Sequence, residues 1–89
     1  MQVTVEISLY PLTEKFEQVV TDYIHQIKKH PGIKVEVNGL STQVFGEYDL
    51  VMRTLAAVNK ETFENHKCVV LMKMAQGELT VENLPDVLK

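Results

Sequence analysis

The apolar residues of this chain change period four times, and the order of those changes restricts its fold more than any other feature. Val3, Val5, Ile7 and Leu9 alternate with Thr4, Glu6, Ser8 and Tyr10, the period of two that marks a half-buried strand. Phe16, Val19, Val20, Tyr23, Ile24 and Ile27 then recur at spacings of three and four, the stripe of an amphipathic helix. IKVEV (33–37) returns to alternation, and STQVFG (41–46) follows as the returning strand. A second helical stripe runs from Glu47-Tyr48-Asp49 to about Asn65, with Met52, Leu55, Ala56, Asn59 and Phe63 on one face and Val51 and Val58 widening it. CVVLMKMA (68–75) closes the series as a continuously apolar strand. The order is β-α-β-β-α-β, the split βαβ or ferredoxin-like arrangement. Right-handed crossovers place both helices on one face of a four-stranded antiparallel sheet, with strands one and three side by side at its centre. The expected class is therefore an α+β, ferredoxin-like sandwich.

Punctuation supports these elements. Pro11 removes a ladder donor and ends strand one, and Thr13 is the expected N-cap of the first helix. Lys28, Lys29 and His30 precede Pro31-Gly32 at its other end, where cations and a helix stop belong. Asn38-Gly39 reads as a type I′ hairpin turn. Gly77 ends the last strand, leaving 78–89 as a polar tail after a core of about 2–75. Eighty-nine residues suit one domain with a modest core. The sheet face carrying Thr4, Glu6, Ser8 and Tyr10 has no helix to cover it, and the last strand is apolar on both faces. That face is expected to pack against a second copy of the chain, as a homodimer or homotetramer.

Several classes of function are disfavoured. A net charge of −3 and a third strand without Lys or Arg do not suit nucleic acid. No apolar run reaches the length of a membrane span, and the N-terminus lacks signal-peptide character. The single cysteine, Cys68, permits no intrachain disulfide and suggests a reducing, cytoplasmic setting, where it is expected to be a buried structural thiol. His25, His30 and His66 lack metal-ligand spacing, and no cofactor or metal is expected. Neither a Gly-x-Ser-x-Gly elbow nor a glycine-rich phosphate loop occurs. The only arginine, Arg53, lies within a helix, so no arginine anion cradle forms.

Two polar patches remain. Ser8 and Tyr10-Pro11 end the first strand; Ser41, Thr42 and Gln43 open the third, which turns into the second helix at Gly46-Glu47. Adjacent strands bring the patches together, and hydroxyls, an amide and one carboxylate without a nucleophile–base pair suit binding better than catalysis. A purely structural reading is open as well. Serine and threonine are common on half-exposed strands, Gly46 eases a turn, and Glu47 with Asp49 suits a helix start.

At these residues the chain resembles the thiamine-binding, YkoF-like group of small ferredoxin-like proteins. The resemblance rests on ISLYPL (7–12), LSTQVFGEYDLV (40–51) and VVLMKM (69–74), and runs over about residues 2–75. It implies association through the sheets into dimers and tetramers. It also implies, for some members, binding of thiamine or its hydroxymethylpyrimidine part in support of vitamin uptake or handling. The matching positions are Ser8, Tyr10, Pro11, Ser41, Thr42, Gly46 and Glu47. Ser8, Ser41, Thr42 and Gln43 would hydrogen-bond the aminopyrimidine, Tyr10 would stack, and Glu47 or Glu6 would face the thiazolium cation. A site without Lys or Arg favours the unphosphorylated vitamin over the diphosphate. The alternative is a homo-oligomeric assembly or regulatory module with no ligand.

Overall fold

In the computed structural model, which describes residues 1–88, the alternation at the N-terminus forms β1 (Gln2–Pro11), followed by α1 (Phe16–Lys28), β2 (Lys34–Val37) and β3 (Thr42–Glu47). Helix α2 (Tyr48–Asn65) and strand β4 (Cys68–Gln76) complete the repeat. The sheet order is β2-β3-β1-β4 with every neighbouring pair antiparallel, which is the expected ferredoxin-like fold. Odd-numbered residues of β1 point toward the helices, so Val3, Val5 and Ile7 join Val44, Tyr23, Ile27, Val51, Leu55 and Val58 in one buried cluster. The buried Tyr23 hydroxyl donates to Asn59 Oδ1, tying α1 to α2. Burial, with Cys68 adding in the same sense, pushes the Tyr23 phenol pKa well up. No helix is long and apolar enough to cross a membrane among the described residues.

The local details depart from expectation in five places, each for a physical reason. Helix α1 begins at Phe16, not after Thr13; Thr13 Oγ1 instead accepts the Lys15 N–H at 3.3 Å in a turn before the helix. The β2–β3 connection is not a type I′ turn, since the left-handed backbone occurs only at Gly32 and Gly77 among the described residues. Asn38 Oδ1 accepts the N–H groups of Leu40 (2.8 Å) and Ser41 (3.0 Å), so an Asx turn closes a four-residue loop, 38–41. The core stripe of α2 is Val51, Thr54, Leu55, Val58 and Thr62, leaving Met52 and Phe63 exposed. Cys68 is half-buried rather than buried, and desolvation pushes its thiol pKa up. Pro11 does not end the ladder: it pairs with Cys68 as the last residue of β1.

That last point shapes the molecule. Leu12 N–H donates to Lys67 C=O and Gly77 N–H to Gln2 C=O, so even-numbered residues of β1 bond toward β4. Odd-numbered ones bond toward β3, whose pairing ends at Ile7–Thr42. Pro11 therefore lacks its N–H on an edge with no partner, and no ladder bond is lost. Beyond Ile7, β1 outruns β3 and leaves a notch in the sheet.

The open sheet face is also less bare than its sequence suggests. After β4 the chain turns at Gly77 (φ 96°) and folds back across the Thr4 end. Thr4 Oγ1 donates to Gly77 C=O at 2.8 Å and accepts Leu79 N–H at 2.9 Å. Thr4, Thr80 and Phe45 are buried there, with Lys34 Nζ 5.5 Å from the Phe45 ring centroid. The uncovered part of the face is the other end, around Glu6, Ser8, Tyr10, Val69 and Leu71.

Candidate functional site

The notch left by β3 becomes a cleft of about 200 Å³. Ile7 and Leu9 from β1, Val20 and Ile24 from α1, and Val37 from β2 give it apolar walls. Ser8, Tyr10, Ser41, Thr42 and Asn38 supply its polar groups, and Leu40 on the 38–41 loop forms part of the rim, 90% exposed. Among the described residues, none that lines it is Lys, Arg, His, Asp or Glu. The ladder alternation directs the Leu9 N–H and C=O to the side that β3 vacates, which adds a backbone donor and acceptor to the cleft.

Four of the six residues expected at a site thus line one cavity: Ser8, Tyr10, Ser41 and Thr42. They reach it from different directions. Ser8 and Tyr10 belong to the open face, whereas Thr42 lies opposite Ile7 on the helix side and is almost fully buried. Gln43 is opposite Glu6 on the open face, one pair from the notch. Ser41 links these surfaces, since its hydroxyl donates to Glu6 Oε2 at 3.3 Å. The other carboxyl oxygen of Glu6 is 3.5 Å from Lys73 Nζ.

Glu47 is placed elsewhere. It pairs with Gln2 at the far end of β3, five residues from Thr42 and so roughly 17 Å along the strand. Its carboxylate accepts Leu50 N–H at 3.1 Å and caps α2. Gly46 beside it lets α2 approach, because a Cβ there would lie 3.0 Å from Val51 Cγ2. The Gly46-Glu47 half of the motif builds the strand–helix corner, and the Ser41-Thr42 half borders the cleft. The Leu9 backbone and residues 38–40 of the loop line the cleft without being among the expected site residues; the signal for the notch is the greater length of the first apolar alternation.

Other depressions bring less together. One of about 440 Å³ beside Phe63–Cys68 and one of about 620 Å³ beside Glu14–Gln18 are larger, but each is lined by one continuous stretch of chain. A third, of about 280 Å³, is an apolar groove between α2 and β4 lined by Met52, Leu55, Ala56, Asn59, Met72 and Met74.

An α+β ferredoxin-like sandwich with a small uncharged cleft at a sheet notch defines the class of this protein. Comparison with known proteins gives the particular family. The profile of the thiamine-binding protein family matches residues 5–79, and the chain belongs to that family. A Thermotoga maritima protein assigned provisionally to thiamine biosynthesis/salvage is 25% identical and superposes with a TM-score of 0.76 over 92% of each chain. A Streptococcus pneumoniae protein superposes with a TM-score of 0.78 at 19% identity, over 99% of this chain and 98% of its own. A domain of unknown function from Bacillus cereus does so at 0.70 and 20% identity, over 92% and 85%. The last two likenesses show the fold alone. No curated protein sequence matches significantly.

Proposed function

We propose that this protein binds unphosphorylated thiamine or its hydroxymethylpyrimidine moiety in the notch cleft, without catalysis, in support of vitamin uptake or handling in the cytoplasm. The observation that carries this reading is the uncharged lining of the cleft in a chain of the thiamine-binding family. A volume of about 200 Å³ is below the usual range for drug-sized ligands, roughly 300–1,000 Å³, and suits one substituted heteroaromatic ring. The pyrimidine presents an amine donor and ring-nitrogen acceptors to the Ser8, Ser41 and Thr42 hydroxyls and the Leu9 backbone, with Tyr10 at the rim as a stacking face. Among the described residues the Ser41 hydroxyl meets the Glu6 carboxylate and not an imidazole or amine, the bases that activate a nucleophilic serine, so the set suits holding a ligand. A diphosphate carried into the cleft itself would bring its negative charges to walls whose described residues offer no cation.

Calorimetric titration tests this. Thiamine and hydroxymethylpyrimidine are expected to bind, with thiamine diphosphate at least about tenfold weaker, near 1.4 kcal/mol. A diphosphate that binds as tightly as thiamine overturns the assignment.

A second reading, homo-oligomeric assembly, is favoured by β4. This edge strand leaves Val69, Leu71, Met72 and Met74 between 44% and 63% exposed on its two faces, a surface that monomers usually cover. Leu71→Lys is expected to shift the sedimentation of the protein toward the monomer. An unchanged oligomer, or a wild-type monomer, removes this reading.

A further inference from the structure

We propose that Glu6 is the counter-charge for the cationic thiazolium ring of thiamine, and that Lys73 occupies this subsite until the ligand displaces it. The inference rests on the reading of the cleft given above and adds to it which group handles the ligand's charge. Among the described residues no carboxylate lines the cleft itself, and Glu47 is committed to capping α2 at the opposite end of β3. Glu6 is the carboxylate one hydrogen bond beyond the wall: its Oε2 accepts from Ser41 Oγ, and Ser41 lines the cleft. It shares a strand face with Ser8 and Tyr10, two and four residues away, so these three side chains form a row leading from the notch across the open face.

The second oxygen, Oε1, holds Lys73 at 3.5 Å, and the Lys73 side chain is 82% exposed. Such an exposed pair is weak and the ammonium regains its hydration when released. A thiazolium is a permanent, poorly hydrated cation whose position is fixed by the pyrimidine it is joined to. Once the pyrimidine enters the cleft, the tethered cation competes with Lys73 at high effective concentration. Lys73 then acts as an internal competitor that lowers affinity for the two-ring cation and leaves the neutral pyrimidine alcohol unaffected.

The test is a pair of variants read with two ligands. In Glu6→Gln, thiamine affinity is expected to fall about fivefold, with hydroxymethylpyrimidine unchanged. In Lys73→Met, thiamine affinity is expected to rise about threefold, again with hydroxymethylpyrimidine unchanged. Added salt should weaken thiamine binding to Lys73→Met, where no internal ammonium pair is screened in compensation, but not to Glu6→Gln. Equal losses for both ligands in Glu6→Gln would mean that Glu6 acts only by orienting Ser41, and would overturn the proposal while leaving the cleft assignment standing. Unchanged thiamine affinity in both variants overturns it too. A wild-type protein that binds neither ligand removes the cleft assignment and this inference with it.

Discussion

Gly46→Ala is expected to lower the melting temperature by roughly 5–15 °C, although Gly46 lies in a strand of ordinary backbone conformation. Two effects compete. Alanine restricts the unfolded chain, which favours folding by about 0.4–1 kcal/mol where the native site accepts a Cβ. Here the Cβ would stand 3.0 Å from Val51 Cγ2 and 3.5 Å from the Gly32 carbonyl oxygen. Val51 is fully buried on α2, and a β-branched side chain in a helix has one strongly preferred rotamer, so it cannot swing away. Overpacking of this kind costs about 1–3 kcal/mol, which exceeds the chain-entropy gain. The double variant Gly46→Ala/Val51→Ala should be more stable than the sum of the single effects predicts, because truncating Val51 makes room for the new methyl. An unchanged or raised melting temperature for Gly46→Ala would refute the account. The result bears on function too, since it would assign the Gly46-Glu47 half of the family motif to the strand–helix corner and not to ligand.

The contrast between the two halves of that motif shows what could be read in the sequence. The order of periods fixed six elements and the sheet order, because each strand and helix must bury one face and few connections allow it. Ser8, Tyr10, Ser41 and Thr42 were legible as a group because adjacency of strands one and three follows from that topology. Glu47 was misplaced in the same step. Adjacency says nothing of position along the strands, and antiparallel register puts Glu47 beside Gln2. The Asn38-Gly39 turn was misread because the asparagine side chain competes for the backbone it was expected to leave free. The tail was opaque for a different reason: its docking depends on Thr4 Oγ1 both donating and accepting, and one hydroxyl on a strand leaves no periodic trace. The notch itself arises from a difference in strand lengths, and element ends are where periodicity carries least information.

Val20→Trp is expected to abolish binding in the cleft while the protein stays folded. Val20 is half-buried on the face of α1 that walls the cleft, together with Ile24. An indole at this position has open space before it and the apolar surfaces of Ile7, Leu9 and Ile24 to cover, so folding buries more apolar area than in the wild type. The melting temperature should hold or rise slightly. The ring would fill most of a cavity of about 200 Å³ and exclude a ligand of similar size. A loss of at least about thirtyfold in affinity for hydroxymethylpyrimidine, near 2 kcal/mol, is the expected reading. Met52→Trp is the informative companion, because Met52 lines the separate apolar groove between α2 and β4, and binding to that variant should match the wild type. The two outcomes divide the surface cleanly. If Val20→Trp binds normally and Met52→Trp does not, the ligand belongs in the α2–β4 groove, and the polar groups at the sheet notch lose their assigned role.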